Sequence, residues 1–240
     1  MRVASRRVAG EFVGSALLTA LVVGSGIAAQ QLSPNDTGLR LLENAIATAL
    51  GLTVLILVFA PLSGAHFNPV VSAVDAALGY RRWADVFRYV PAQVVGCIAG
   101  AVLANLMYAQ PAVSWSTTDR LTPAHFLAEI VATAGLVLVI FALARTGRAH
   151  LAAPAVGAYI GAAYFFTSSA SFANPAITVG RMFTDTFAGI APSSSFGYIA
   201  AQIIGGVVGL IAVRAFFPRR LPTGPEPADV VCYRSRAALR

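Results

Sequence analysis

Lysine is absent from all 240 residues, and the seventeen basic side chains are without exception arginine. A glycine-rich nucleotide loop needs a lysine to reach the phosphates, so an ATP-driven pump contained in this chain is disfavoured. Charge of either sign is scarce, at 11% against the roughly 25% of an ordinary soluble domain. Cysteine is limited to Cys97, inside an apolar run, and Cys232, in an arginine-rich tail; the pair makes neither a disulfide framework nor a metal-ligand spacing. Cys97 reads as a small buried apolar residue. No clustered metal ligands accompany His66, and no nucleophile with an attendant base stands out. Neither an enzyme nor a cofactor or metal site is expected.

Hydrocarbon fills the composition instead. With 57% hydrophobic residues and a mean hydropathy of +0.72, the sequence is that of an integral membrane protein. Runs of about 20 apolar residues, the length that crosses a bilayer as a helix, lie at 8–26, 43–62, 87–108, 125–144, 153–170 and 197–217. Six crossings return both termini to one side. The first run follows Arg2, Arg6 and Arg7 and could pass for a secretory signal, but Glu11 inside it and a later counterpart argue for a span. With both termini in the cytoplasm, fourteen arginines fall on that side and only Arg40, Arg120 and Arg181 on the other, the orientation expected in a cell membrane. The net charge of +7 then reads as topology and attraction to anionic lipid, with nucleic-acid binding a poor second explanation. Residues 221–240, rich in proline and arginine, read as a disordered cytoplasmic tail beyond a single domain at 1–220.

Three segments occur twice. AGEFVGSALLTALVV (9–23) resembles LAEIVATAGLVLVIF (127–141), SGAHFNPVV resembles SASFANPAI, and YVPAQVVGCIAG (89–100) resembles YIAAQIIGGVVG (198–209). Glu11 is thereby set against Glu129, Asn68 against Asn174 and Gln93 against Gln202, at offsets of 118, 106 and 109 residues. This is a duplicated three-span unit, with halves at about 8–108 and 125–217. Three is odd, so the copies enter the membrane from opposite faces, and such inverted repeats place their sites at the midplane where helices are broken.

The breaks are the two Asn-Pro pairs. From Pro69 to about Gly79 a helix would rise only about 16 Å, half of a hydrocarbon core. Its inverted twin begins at Pro175, and the two N-termini should meet near the bilayer centre. Proline suits the first helical position and asparagine the cap, where its oxygen accepts from backbone N–H groups and its amide is left to donate. Two donors and two positive dipole ends then converge on one point, which suits a neutral oxygen-bearing solute and repels cations.

On these paired segments the chain resembles the aquaporin and glycerol-facilitator family, the major intrinsic proteins, over about residues 8–217. The resemblance implies an all-α, right-handed, inverted-repeat bundle of six transmembrane helices plus two half-helices, assembled as a homotetramer in lipid, that passes small neutral solutes down their gradient. Its pore constriction would comprise Asn68, Pro69 and Val70 with Asn174, Pro175 and Ala176; Val70 stands where the family usually has alanine. Three residues beyond Asn174 the family normally carries the arginine of its outer filter, and this chain has Ile177. The other filter positions fall by spacing at Thr48, Ala162 and Ser171, where water-selective members hold an aromatic ring and a histidine. A wider, less polar opening is implied, admitting water plus polyols such as glycerol or undissociated acids such as arsenous acid. Arg181 could restore positive potential at the mouth or pair with Asp185, and His66 would line the cytoplasmic half.

Glu11 and Glu129 could relay protons in a proton-coupled secondary transporter, the rival function, or accept from loop N–H groups that lipid cannot satisfy. The repeat favours the structural role, with Gln93 and Gln202 in the same networks. Glycines four apart at Gly10 and Gly14, Gly96 and Gly100, Gly157 and Gly161, and Gly205 and Gly209 read as helix-packing surfaces. Phe165, Phe166 and Phe172 read as interface anchors rather than a binding platform.

Overall fold

The computed structural model describes residues 3–218, so the expected tail at 221–240 and Cys232 lie outside the described residues. Among the described residues eight α-helices follow in order: α1 (Val3–Leu32), α2 (Thr37–Ser63), α3 (Pro69–Ala77), α4 (Trp83–Met107), α5 (Pro123–Arg145), α6 (Ala152–Phe166), α7 (Pro175–Gly180) and α8 (Pro192–Phe216). Two 3-10 turns, Ala149–Leu151 and Arg181–Phe183, precede α6 and follow α7. Among the described residues six helices, with α6 counted together with its leading turn, are long and apolar enough to cross a membrane. α3 and α7, nine and six residues long, are not.

Two boundaries differ from the hydropathy reading. α1 runs well past both ends of 8–26, because arginine, alanine and glutamine are good helix formers and no proline intervenes before Pro34. α6 stops at Phe166, short of 170, because Thr167–Ser171 turns back to feed α7: Thr167 Oγ1 donates to the Ala163 carbonyl and Ser169 Oγ accepts from Ser171 N. α3 also ends two residues early. Gly79, at φ 81°, takes the left-handed turn that closes it, with Tyr80 N donating to the Asp75 carbonyl.

Packing follows the duplication. α1 lies against α2 and α4 as α5 lies against α6 and α8, while α2 meets α6 across the halves. In lipid there is no hydrophobic drive between helices, so close backbone approach must supply the packing. A Cβ on Gly205 or Gly209 would come 2.6 Å from the Ile130 carbonyl or 2.8 Å from that of Ala134, and one on Gly96 or Gly100 would run into the carbonyls of Phe12 and Ala16. Outward faces stay apolar, as at Leu50, Val54, Phe87, Ile203 and Ile211. α3 and α7 fill the centre, each touching the other's half: α3 contacts α8 and α7 contacts α4.

Candidate functional site

Two buried carboxylates shape the approach to each half-helix. Glu11 Oε1 accepts from Ser63 Oγ (2.6 Å) and His66 N (3.0 Å), and Oε2 from Phe67 N and Gln93 Nε2, both at 2.7 Å. Glu129 accepts from Phe172 N and Ala173 N, each at 2.9 Å, and from Gln202 Nε2 at 2.7 Å. The glutamines reach on to Ser72 Oγ and Thr178 Oγ1 at 3.0 and 2.9 Å. All four side chains are 0% exposed. Their bonds hold the loops in an unfavourable backbone shape, with Ala65, Phe67, Ser171 and Ala173 at φ between 45° and 49°. Left-handed non-glycine residues cost about 1–3 kcal/mol each, so the carboxylates must over-determine these segments.

The loops deliver two asparagines to one point. Asn68 Oδ1 caps α3 by accepting from Val70 N (3.0 Å), and Asn174 Oδ1 caps α7 from Ala176 N (2.9 Å) and Ile177 N (3.3 Å). Their amides cross over: Asn68 Nδ2 donates to the Ala173 carbonyl and Asn174 Nδ2 to the Phe67 carbonyl, both at 2.7 Å. Capping by the oxygen predicts both amides left to donate; one N–H of each is committed to the opposite loop and one remains.

A cavity of about 710 Å³ runs past this junction. It is lined by Asn68, Val71 and Asp75 from the first loop and half-helix, and by Asn174, Ile177 and Arg181 from the second, one residue triplet repeated at an offset of 106. Thr48, His66 and Ser171 line it as well. Pro69, Val70, Pro175 and Ala176 are not among its lining residues; they start the helices and pack behind the caps. Val70 fits because the facing helix carries Gly206, where any Cβ would collide with Val70 Cγ1.

Ala162 sits on the exposed side of α6, and Ile160 and Tyr164 take the cavity wall instead, so the filter position carried over by spacing is displaced. Two residues along a helix is a turn of about 200°, enough to reverse the face. Tyr164 Oη lies 3.1 Å from Thr48 Oγ1. Phe165 and Phe166 are exposed, while Phe172 is buried beneath Arg181, whose Cζ lies 3.4 Å from the ring centroid. Arg181 does not pair with Asp185, which accepts from Thr117 N and Oγ1. Its Nε donates to the Ala188 carbonyl.

At the other end stands a network the sequence did not single out. Asp75 Oδ2 accepts from Arg81 Nε at 3.0 Å and lies 3.3 Å from His66 Nε2, whose Nδ1 meets Ser72 Oγ at 2.9 Å. Arg81 also reaches Tyr89 Oη and the Ser63 carbonyl, at 2.9 and 3.0 Å. The sequence signal for this network is the seven-residue spacing of Asp75 from Asn68, two helical turns, which sets it on the same face of α3 as the cap.

Known proteins match this architecture. A profile of the major intrinsic protein family matches residues 2–173. The chain is 46% identical over 229 residues to the aquaglyceroporin AqpS of Rhizobium meliloti, covering 93% of this chain and 97% of that protein. Identity with the glycerol uptake facilitator protein of Pseudomonas aeruginosa is 29% over 268 residues, covering 95% and 94%. The aquaglyceroporin structure from Plasmodium falciparum superposes with a TM-score of 0.67 over 89% of this chain and 95% of that one, at 24% identity, a likeness of fold. By sequence and by architecture, the chain belongs to the major intrinsic protein family.

Proposed function

We propose that the protein is a passive channel whose cavity conducts water and larger neutral solutes, with glycerol and undissociated metalloid acids such as arsenous acid as the candidate cargo. The observation that carries this reading is the crossed pair Asn68 and Asn174 on a continuous cavity wall, with Ile177 in place of a guanidinium beside it. One free amide N–H on each asparagine can serve a solute oxygen, and a wall of Val71, Ile177 and Ile160 accepts the carbon side of a polyol. The names of the relatives, an aquaglyceroporin and a glycerol facilitator, point the same way. Both termini would face the cytoplasm of a cell membrane, and four copies would assemble around a common axis.

Proton-coupled transport has less support. Glu11 and Glu129 are sealed from the cavity wall and saturated by loop N–H donors, which suits a fixed carboxylate and not a carrier. Stopped-flow light scattering of proteoliposomes tests the proposal by comparing water, glycerol and arsenous acid with and without a proton gradient. Wild type should pass all three indifferently to the gradient, and Ile177→Arg should cut glycerol flux about tenfold or more, the effect of closing a pore by a polar side chain worth at least 1.4 kcal/mol of barrier. Passage of water alone, unaltered by Ile177→Arg, would discard the relaxed filter.

A further inference from the structure

Arg181 is an unusual cation. It is 4% exposed, lies against the cavity, and has no carboxylate partner among the described residues. Only its Nε is bonded, to the Ala188 carbonyl, so the outer edge of the guanidinium, Nη1 and Nη2, is unspent. A second guanidinium stands nearby: Arg120 Cζ lies 5.7 Å from the same Phe172 ring, and its charge repels that of Arg181. Arg120 is fixed by Gly189 and Phe187 carbonyls at 2.6 and 2.7 Å, without an acid. Next to Phe172, Ser171 Oγ is buried on the cavity wall with no hydrogen-bond partner. Nearby acids are all engaged: Glu129 by the loop amides, Asp119 by Ser194 Oγ and Asp185 by Thr117. Tyr164 and Tyr198 are the other titratable side chains that face Arg181.

Two adjacent guanidiniums without an ion pair among the described residues, one of them nearly dry and with Glu129 as its one opposing charge, spent on loop amides, leave positive potential that an anion from solution would neutralise. The free Nη1/Nη2 edge presents parallel donors that match two oxygens of one planar group. Around it the wall is apolar, with Phe172, Ile177 and Ile160, and Ser171 Oγ offers one further donor. We propose that Arg181, braced on Phe172 and flanked by Arg120 and Ser171, forms a binding site for a small monocarboxylate with a short alkyl body at this end of the cavity. A doubly charged oxyanion fits less well, since the apolar wall would strip its hydration without enough donors to replace it. The site lies at the mouth of the conduit inferred above and rests on that reading only for its role. The bound anion stops there, because Ile177 and Val71 give it nothing to replace water, and it obstructs neutral solutes entering from that side.

The test uses full-length protein in nanodiscs and saturation-transfer NMR with propionate as the probe and 1-propanol as its uncharged analogue. Propionate should give a methyl signal that Arg181→Gln weakens about tenfold in affinity and Arg181→Lys weakens less, keeping charge but losing the fork. Melting of each variant in the same discs confirms that it is folded, and Arg181→Lys decides the question should Arg181→Gln not fold. Equal propionate signals in wild type and a folded variant, or no signal in wild type, would overturn the site. Displacement by chloride or sulfate as readily as by acetate would overturn its carboxylate character. Propionate on the Arg181 side should also slow glycerol flux in wild-type liposomes. If no solute passes while propionate still binds, the channel reading fails and the site stands.

Discussion

The two ends of the cavity are built on one frame and carry opposite chemistry. In each half a buried glutamate, a glutamine and a hydroxyl (Ser72 or Thr178) hold a loop of left-handed residues, and an asparagine caps the half-helix. Two residues before the asparagine, however, the first half has His66 and the second Phe172; seven after it, the first has Asp75 and the second Arg181. The first end closes its own charge, with Asp75 held by Arg81 and facing His66. The second leaves a guanidinium lying on an aromatic ring. The frame behind the helices and the asparagines at the junction are the same in both halves, and the two halves differ at the outer cavity positions, His66 against Phe172 and Asp75 against Arg181.

That contrast can be broken at the frame first. Glu11→Ala and Glu129→Ala each strand two buried loop N–H donors and a glutamine amide, so each should cost about 3–5 kcal/mol, with the two losses similar. Thermal melting in detergent measures this, and a near-neutral result at either site would show that its loop holds itself. A smaller effect tests where the halves exchange volume. Val70 faces Gly206, while the related positions are Ala176 and Cys97. Val70→Ala should cost about 1.6 kcal/mol, from two buried methyl groups at about 0.8 each. Gly206→Ala alone should cost about 1–3 kcal/mol through collision with Val70. The double variant should recover much of both losses, and a double-mutant cycle reads the coupling. Additive losses would mean that the two side chains do not compete for one space. The smallest change is at the charged end, where Asp75→Asn should cost about 1 kcal/mol or less, since the pair is partly solvated and Arg81 keeps Tyr89 and the Ser63 carbonyl. A melting loss as large as that of Glu11→Ala would place Asp75 in the frame.

Much of this frame was legible because it rests on local rules. Apolar length gives the spans, and Asn-Pro at a gap gives the capped half-helices. Residue pairing at constant offset sets Glu11 and Glu129 in matching places. What failed depended on angle and approach. Ala162 was placed by counting, and a helix turns its face away within two residues. The crossing of the asparagine amides arises from contact between loops 105 and 107 residues apart, which no single repeat encodes. The network of Asp75, Arg81 and His66 had no local signature, because His66 and Arg81 meet Asp75 only when α3 folds back into the bundle.

The exchange of amides between Asn68 and Asn174 says something about how such a chain can arise. Each loop's terminal carbonyl finds its donor on the other loop, so a lone three-helix ancestor would have its clasp half made. Held in one chain, the two oppositely inserted halves complete it for each other, and neither junction closes without its twin.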